Sequence, residues 1–205
     1  MPTNPKSLVV FDFDGTLYTK DSLIDFCLFY YRSKPLRRFY VFKQFLAFIL
    51  WKVKIIDTTT FKHKFIAFIG NDSEEEITRM AELFWDKTHK FNPHLLNILD
   101  QYQKASVPVL VLSASPELFI SPACQKLNIP YLLGTPLTVE KSSYRLGTNC
   151  RGREKINRFK EKFPESEILE AYSDNKDDIY LLQMAKKGWW VVRGEIVAME
   201  GGAVR

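Results

Sequence analysis

The chain has 205 residues, 46% of them hydrophobic and 26% charged, with a net charge of +5. That is ordinary globular composition, without low-complexity segments or internal repeats. No uncharged stretch approaches the roughly 18 apolar residues of a membrane span. Cys27, Cys124 and Cys150 are scattered and odd in number, which fits neither a metal cage nor a disulfide framework.

The first element is the apolar run Leu8–Phe11, the pattern of a strand buried on both faces. Asp12-Phe13-Asp14-Gly15-Thr16 follows at once. Carboxylates at the end of a buried strand are costly to desolvate unless they are paired or bind a cation. Gly15 permits a sharp turn that exposes backbone N–H groups, and Thr16 adds a hydroxyl. Asp21 or Ser22 is suited to cap a helix over Leu23–Tyr31, which breaks near Ser33-Lys34-Pro35. Leu36–Ile56 is apolar at helical spacing, with its lysines scattered around the helix. Asp57-Thr58-Thr59 opens a further helix through Ile69, and Ser73 precedes a charged amphipathic helix over Glu74–Lys90. Tyr18–Lys90 is therefore expected to be all-helical.

Beyond it, Asn92–Lys104 reads as helix and Val107–Leu112 as a second buried strand ending in Ser113-Ala114-Ser115-Pro116. A helix over Glu117–Leu127, a short strand at Tyr131–Leu133 and a small hairpin within Leu137–Leu146 come next. Glu154–Phe163 reads as helix. Ile168–Tyr172 reads as a strand ending in Ser173-Asp174-Asn175-Lys176-Asp177-Asp178. Ile179–Lys187 is expected as helix, Trp189–Val192 as the last strand and Gly201–Arg205 as a frayed tail. Strands alternating with helices argue a parallel sheet in an α/β sandwich. The fold expected is a Rossmann-like three-layer α/β/α core over residues 1–17 and 91–205, with an all-helical cap over 18–90 inserted after strand one.

Three strands end in polar clusters, Asp12/Asp14, Ser113 and Asp174/Asp177/Asp178, and a parallel sheet brings such ends to one edge. Lys155, at a helix start after Arg151-Gly152-Arg153, is the fourth piece. Acids with one Lys and one Ser suit a hard divalent cation held by oxygens. They suit a phosphoryl group equally well. The plain alternatives are an N-capping pair for Asp12 and Asp14, a capping serine for Ser113, a solvated Lys155 and a capping role for Asp177. His63, His89 and His94 share no ligand spacing, and no nucleic-acid readout motif is present.

These four motifs, in this order over the full chain, resemble those of the haloacid dehalogenase superfamily of phosphohydrolases. The helical insert after the first motif is similar to the cap of the phosphoserine-phosphatase-like branch. The resemblance implies a Mg²⁺-dependent phosphomonoester hydrolase. Asp12 would be the nucleophile that carries an aspartyl-phosphate, and Asp14 the general acid and base. Mg²⁺ would be held by Asp12, the Asp14 carbonyl and Asp174, with Asp178 in support. Ser113, Lys155, Gly15 and Thr16 would bind the phosphate. Asp21 stands where phosphoserine phosphatases usually have Glu, Asp177 where they have Asn, and Gly15 where Ser is typical. Tyr172-Ser173-Asp174, Gly152-Arg153-Glu154-Lys155 and Arg193-Gly194-Glu195 resemble more closely the small phosphatidylglycerophosphate phosphatases of bacterial membranes.

The resemblance leaves open a phospholipid head-group monoester, a soluble substrate such as phosphoserine, and a catalytically idle binding module. Phe26–Gly70 holds nine Lys/Arg against the single acid Asp57, and 13 aromatic residues. It is either a surface for anionic membrane, where each basic residue near the headgroups adds about 1 kcal/mol, or an ordinary helical cap. Met1–Ser7 is short and polar, so no signal peptide is expected ahead of the first strand. A soluble cytoplasmic protein, or one peripheral at the inner membrane face, is expected.

Overall fold

The computed structural model describes residues 4–140 and 143–199. Strand β1 (Ser7–Phe11) lies at the centre of a six-stranded sheet with β2 (Val109–Pro116), β3 (Tyr131–Thr135), β6 (Glu167–Ser173), β7 (Lys187–Val192) and β8 (Glu195–Ala198). The spatial order is β3-β2-β1-β6-β7-β8. All neighbours run parallel except the edge strand β8. Strands β4 (Leu137–Glu140) and β5 (Ser143–Leu146) form a separate antiparallel pair. The hairpin expected there is present, although its turn lies outside the described residues, as does the tail expected to fray.

Side chains of β1 alternate between the two faces of the sheet, as strand geometry requires. Val9 and Phe11 join one apolar cluster, Leu8 and Val10 the other. Helices α5 (Pro93–Lys104) and α6 (Glu117–Lys126) cover the first face; α7 (Arg153–Lys162) and α8 (Ile179–Met184) cover the second. The result is the three-layer Rossmann-like α/β core.

Between β1 and α5 the chain is helical: α1 (Ser22–Ser33), α2 (Tyr40–Lys52), α3 (Thr58–Phe65) and α4 (Glu74–Lys87). Side chains that satisfy free N–H groups set several starts. Asp21 accepts from Ile24 N at 3.0 Å, Asp57 from Thr60 N at 2.7 Å and Ser73 from Glu76 N at 3.3 Å. The two ends of the insert are tied together, Thr19 N to Lys90 O and Asn92 N to Leu17 O, both at 2.9 Å. Its inner residues, Phe26, Tyr30, Phe68, Phe84 and Trp85 among them, belong to the same apolar cluster as one face of the sheet.

Several expected bounds shift. Leu36–Ile56 divides into a 3-10 turn, Pro35–Phe39, and α2. The helix begun at Glu74 stops at Lys87, where the chain turns back to pair with β1's outgoing loop. Helix α8 ends at Met184 because the chain then enters the sheet, Lys186 N donating to Ile168 O at 2.9 Å. Trp189–Val192 is not the last strand. Arg193 and Gly194, both at positive φ, form a two-residue turn into β8, the primed geometry that suits a tight hairpin. Among the described residues no helix is long and apolar enough to cross a membrane.

Trp85 pins the insert to the core. It is buried, donates from Nε1 to Phe119 O at 2.7 Å, and packs edge-on to Phe13 and Tyr18. Trp85→Ala is expected to cost about 3–5 kcal/mol, read as a fall in the urea midpoint; a change below about 1 kcal/mol would show that the insert does not depend on it.

Candidate active site

The carboxyl ends of β1, β2 and β6 meet at one edge of the sheet, with the start of α7 beside them. A cavity of about 320 Å³ opens there. Asp12, Asp14, Gly15, Lys155 and Asp174 line it.

Asp12 sits on the floor. Its backbone N–H still follows the sheet, donating to Tyr172 O at 2.9 Å. Its Oδ1 accepts from Phe13 N at 2.8 Å and from Lys155 Nζ at 2.7 Å. Lys155 Nζ also donates to Asp178 Oδ2 at 2.6 Å. The lysine is only 1% exposed and Asp178 is fully buried. Ser173 Oγ lies 2.7 Å from that same Asp178 oxygen and 3.3 Å from Asp12 Oδ2. Oδ2 is thus the less engaged oxygen of Asp12. Burial pushes the Asp12 carboxyl up to about 7, with Lys155 opposing and Asp178 reinforcing the shift. Burial works against the Lys155 charge, but Asp12 and Asp178 hold it above the ordinary lysine value.

Asp14 is directed elsewhere. Its Oδ1 accepts from Ser22 N, the first residue of α1, at 2.7 Å, and its Oδ2 from the Ser115 hydroxyl at 2.5 Å. Burial, then the nearby Asp21, raises its pKa. Phe13 between the two acids is buried against Tyr18 and Trp85, which fixes the local backbone. Gly15 has φ +74°, and a Cβ there would stand 2.0 Å from Asp174 Oδ2. Only glycine lets the loop pass this carboxylate. Thr16 Oγ1 accepts from Asp174 N at 3.1 Å.

Three expected site residues lie behind the wall. Thr16 is buried and braces Asp174. Asp178 stands behind Lys155, in support and not on the wall. Ser113 is buried, and its hydroxyl accepts from Ser115 N at 3.0 Å. Ser115 is the hydroxyl that reaches the cavity. Both serines lie where β2 loses regular register against β3, between Leu112 and Pro116.

Sequence reasoning also missed Lys62 and placed no role on Arg151, both of which line the cavity. Lys62 comes from α3 of the insert. Its Nζ donates to Ala114 O at 2.9 Å and Asn149 Oδ1 at 2.8 Å. Burial lowers its pKa to about 8, against the pull of Asp14 and Asp21. Arg151 pairs with Asp177 at 2.6 Å, so Asp177 orients a wall residue.

Among the described residues no three acids, histidines or cysteines stand as a finished metal cage. The donor chemistry nevertheless fits Mg²⁺, which keeps several waters and needs only one or two carboxylates. Asp12 Oδ2 and the Asp174 carboxylate have few partners. Burial disfavours the charge on Asp12, Asp14 and Asp174 alike, and a cation offsets that. Asp178 Oδ1 is buried with no hydrogen-bond partner among the described residues, a lone pair suited to a metal-bound water.

The sequence comparison agrees with the fold. Residues 9–183 match the family profile described as haloacid dehalogenase-like hydrolase. The chain belongs to that family. Protein CicA of Caulobacter vibrioides is 31% identical over 202 residues, covering 92% of this chain and 87% of its own. Among solved structures, a Bordetella pertussis Tohama I protein of unknown function has a TM-score of 0.75 at 17% identity, covering 89% of this chain and 88% of its own. A phosphoserine phosphatase, solved as a phospho-aspartyl intermediate analogue, has a TM-score of 0.56 at 14% identity, with 89% and 85% covered.

The raised Asp12 value has a measurable consequence. Between its ordinary 3.8 and about 7, the native state holds a proton that the unfolded chain has released. Stability contributed by this group is full below 3.8 and is lost as pH rises through 7. Metal-free protein should therefore lose melting temperature across that window. Adding Mg²⁺ near pH 7.5 should restore it, and Asp12→Asn should flatten both responses. A melting temperature that ignores Mg²⁺ at every pH would contradict the metal assignment.

Proposed function

We propose that the protein is a Mg²⁺-dependent phosphomonoester hydrolase that carries the phosphoryl group on Asp12. The observation that carries this reading is the division of the first motif. One acid is clamped by a buried lysine on the cavity floor, and the other is held apart by a helix start and a serine.

Asp12, oriented by Lys155 and Phe13 N–H on its Oδ1, would attack phosphorus through a carboxylate oxygen. Lys155 offsets the repulsion between an anionic nucleophile and an anionic ester. When bound, Mg²⁺ would neutralise phosphoryl oxygens, held by Asp12, Asp174 and the Asp14 carbonyl, with Asp178 behind them. Asp14, whose proton affinity is raised by burial, suits the donor that protonates the leaving alcohol. The resulting carboxylate then takes a proton from the water that hydrolyses the aspartyl-phosphate. Ser115, the turn at Gly15 and Lys155, which line the cavity, would bind phosphoryl oxygens, with Ser113 and Thr16 behind them.

Residues 18–90 would serve as the cap over this core, with Lys20, Asp21 and Lys62 facing the leaving group. A small soluble phosphate monoester is the first reading of the substrate, supported by the likeness to phosphoserine phosphatase and by the polar, compact cavity. The second reading is a phospholipid head-group monoester such as phosphatidylglycerophosphate. It is favoured by one observation, the basic and apolar outer face of the insert. A cytoplasmic location, peripheral at the inner membrane face, goes with that second reading.

Phosphate release from a panel of soluble and lipid monoesters tests the proposal. Release should require Mg²⁺ and fall at least about a thousand-fold in Asp12→Asn. Asp14→Asn should also slow turnover strongly. Wild-type rates in Asp12→Asn would sink the mechanism, and turnover restricted to one half of the panel would decide between the two substrate readings.

A further inference from the structure

Helix α2 presents the wrong face to water. Ten of the fifteen large exposed apolar residues among the described residues fall between Leu36 and Ile55. Phe42, Phe45, Leu46, Ile49 and Val53 recur at helical spacing along one outward stripe, and Phe42 is 74% exposed. The inner seam is narrow. Gln44 and Ala47 alone are buried in α2. Gln44 accepts from the Tyr31 hydroxyl at 2.8 Å and donates to Phe65 O at 2.7 Å, which locks the helix with its apolar stripe outward. A helix apolar nearly all round is normally covered, and an exposed patch of this kind marks an interaction site.

The charges select the occupant. Phe26–Ile56 contains no acid. Lys34 and Arg37 are bound to Asp72 at 2.7 Å. Arg38, Lys43, Lys52 and Lys54 are exposed and meet no carboxylate among the described residues. Lys43 Nζ lies 5.2 Å from the Tyr40 ring centre and Lys52 Nζ 5.5 Å from that of Trp51, so cations and aromatic edges border the stripe together. A second copy docked face to face would set these lysines against their equivalents, with no acid to offset them. An anionic lipid surface offers both an apolar layer and negative headgroups. At 13 residues, about 20 Å long, α2 is too short to span a bilayer and suited to lie in its surface.

We infer that the outward face of α2 docks the protein on anionic membrane, Phe42, Phe45, Leu46 and Ile49 entering the acyl boundary while Arg38, Lys43, Lys52 and Lys54 meet the headgroups. This inference does not rest on the proposed phosphatase activity. Docking and hydrolysis fail separately, because no residue of the stripe lines the catalytic cavity.

Flotation with phosphatidylcholine vesicles, with and without phosphatidylglycerol, tests it on the full chain in the absence of Mg²⁺. Wild type should float with the anionic vesicles and release as salt is raised. Lys43→Gln with Lys52→Gln should weaken binding roughly thirty-fold, and Phe42→Ser with Phe45→Ser should abolish it. Both variants should retain the wild-type far-ultraviolet circular dichroism. Should the phenylalanine pair fail to fold, the lysine pair alone decides. The inference is overturned if wild type does not float, if it binds neutral and anionic vesicles equally, or if sedimentation shows a dimer that Phe42→Ser with Phe45→Ser dissociates.

Discussion

The Lys155 ammonium, buried between Asp12 and Asp178, is the interaction on which the rest of the site depends. Burying a charge is unfavourable unless it is paired and its remaining valences are met. Here one cation serves two carboxylates, with Ser173 and Phe13 N–H completing the set. Removing Lys155 leaves two buried carboxylates without their cation, at a cost of about 3–5 kcal/mol. The arrangement needs the end of β1, the end of β6 and the first turn of α7 at one place. Only a parallel sheet with β1 and β6 adjacent supplies that. Catalytic geometry and fold are in this sense the same constraint.

The second acid is governed from the other side. Asp14 is held by α1 and by the irregular end of β2, so its orientation depends on how the insert seats. Trp85 and the paired ends of the insert fix that seating, while Lys62 brings a cation from α3 into the same cavity. The core therefore supplies the clamped carboxylate and the floor of the cavity. The insert supplies the contacts around Asp14 and part of the cavity wall, and turns its own apolar, basic face outward.

Legibility in the sequence followed burial. Leu8–Phe11, the acids after it, Lys155 and the Asp174–Asp178 run were readable because an all-apolar strand that ends in carboxylates leaves few physical options. The parallel sheet followed from the alternation of elements, and the family from the order of four motifs. What was not readable depends on tertiary placement. Ser115 reaches the cavity wall while Ser113 is buried, a placement set where β2 leaves regular pairing and not visible in the sequence. Lys62 is one of several scattered basic residues, and nothing local says that α3 points it inward. Strand β8 is a short edge strand whose signal was the Arg193-Gly194 pair between alternating residues. The apolar spacing of Leu36–Ile56 announced a helix, but periodicity alone does not say whether such a stripe faces a core or the outside.

The central claim is that Asp12 carries the phosphoryl group. Its most direct test is chemical trapping: incubate the protein with a turned-over phosphomonoester and Mg²⁺, quench with hydroxylamine, and map the modified peptide by mass spectrometry. The account predicts a hydroxamate at Asp12 that depends on substrate and is absent without it. Modification at Asp14 instead, or steady turnover with no trapped aspartyl-phosphate at all, would contradict it.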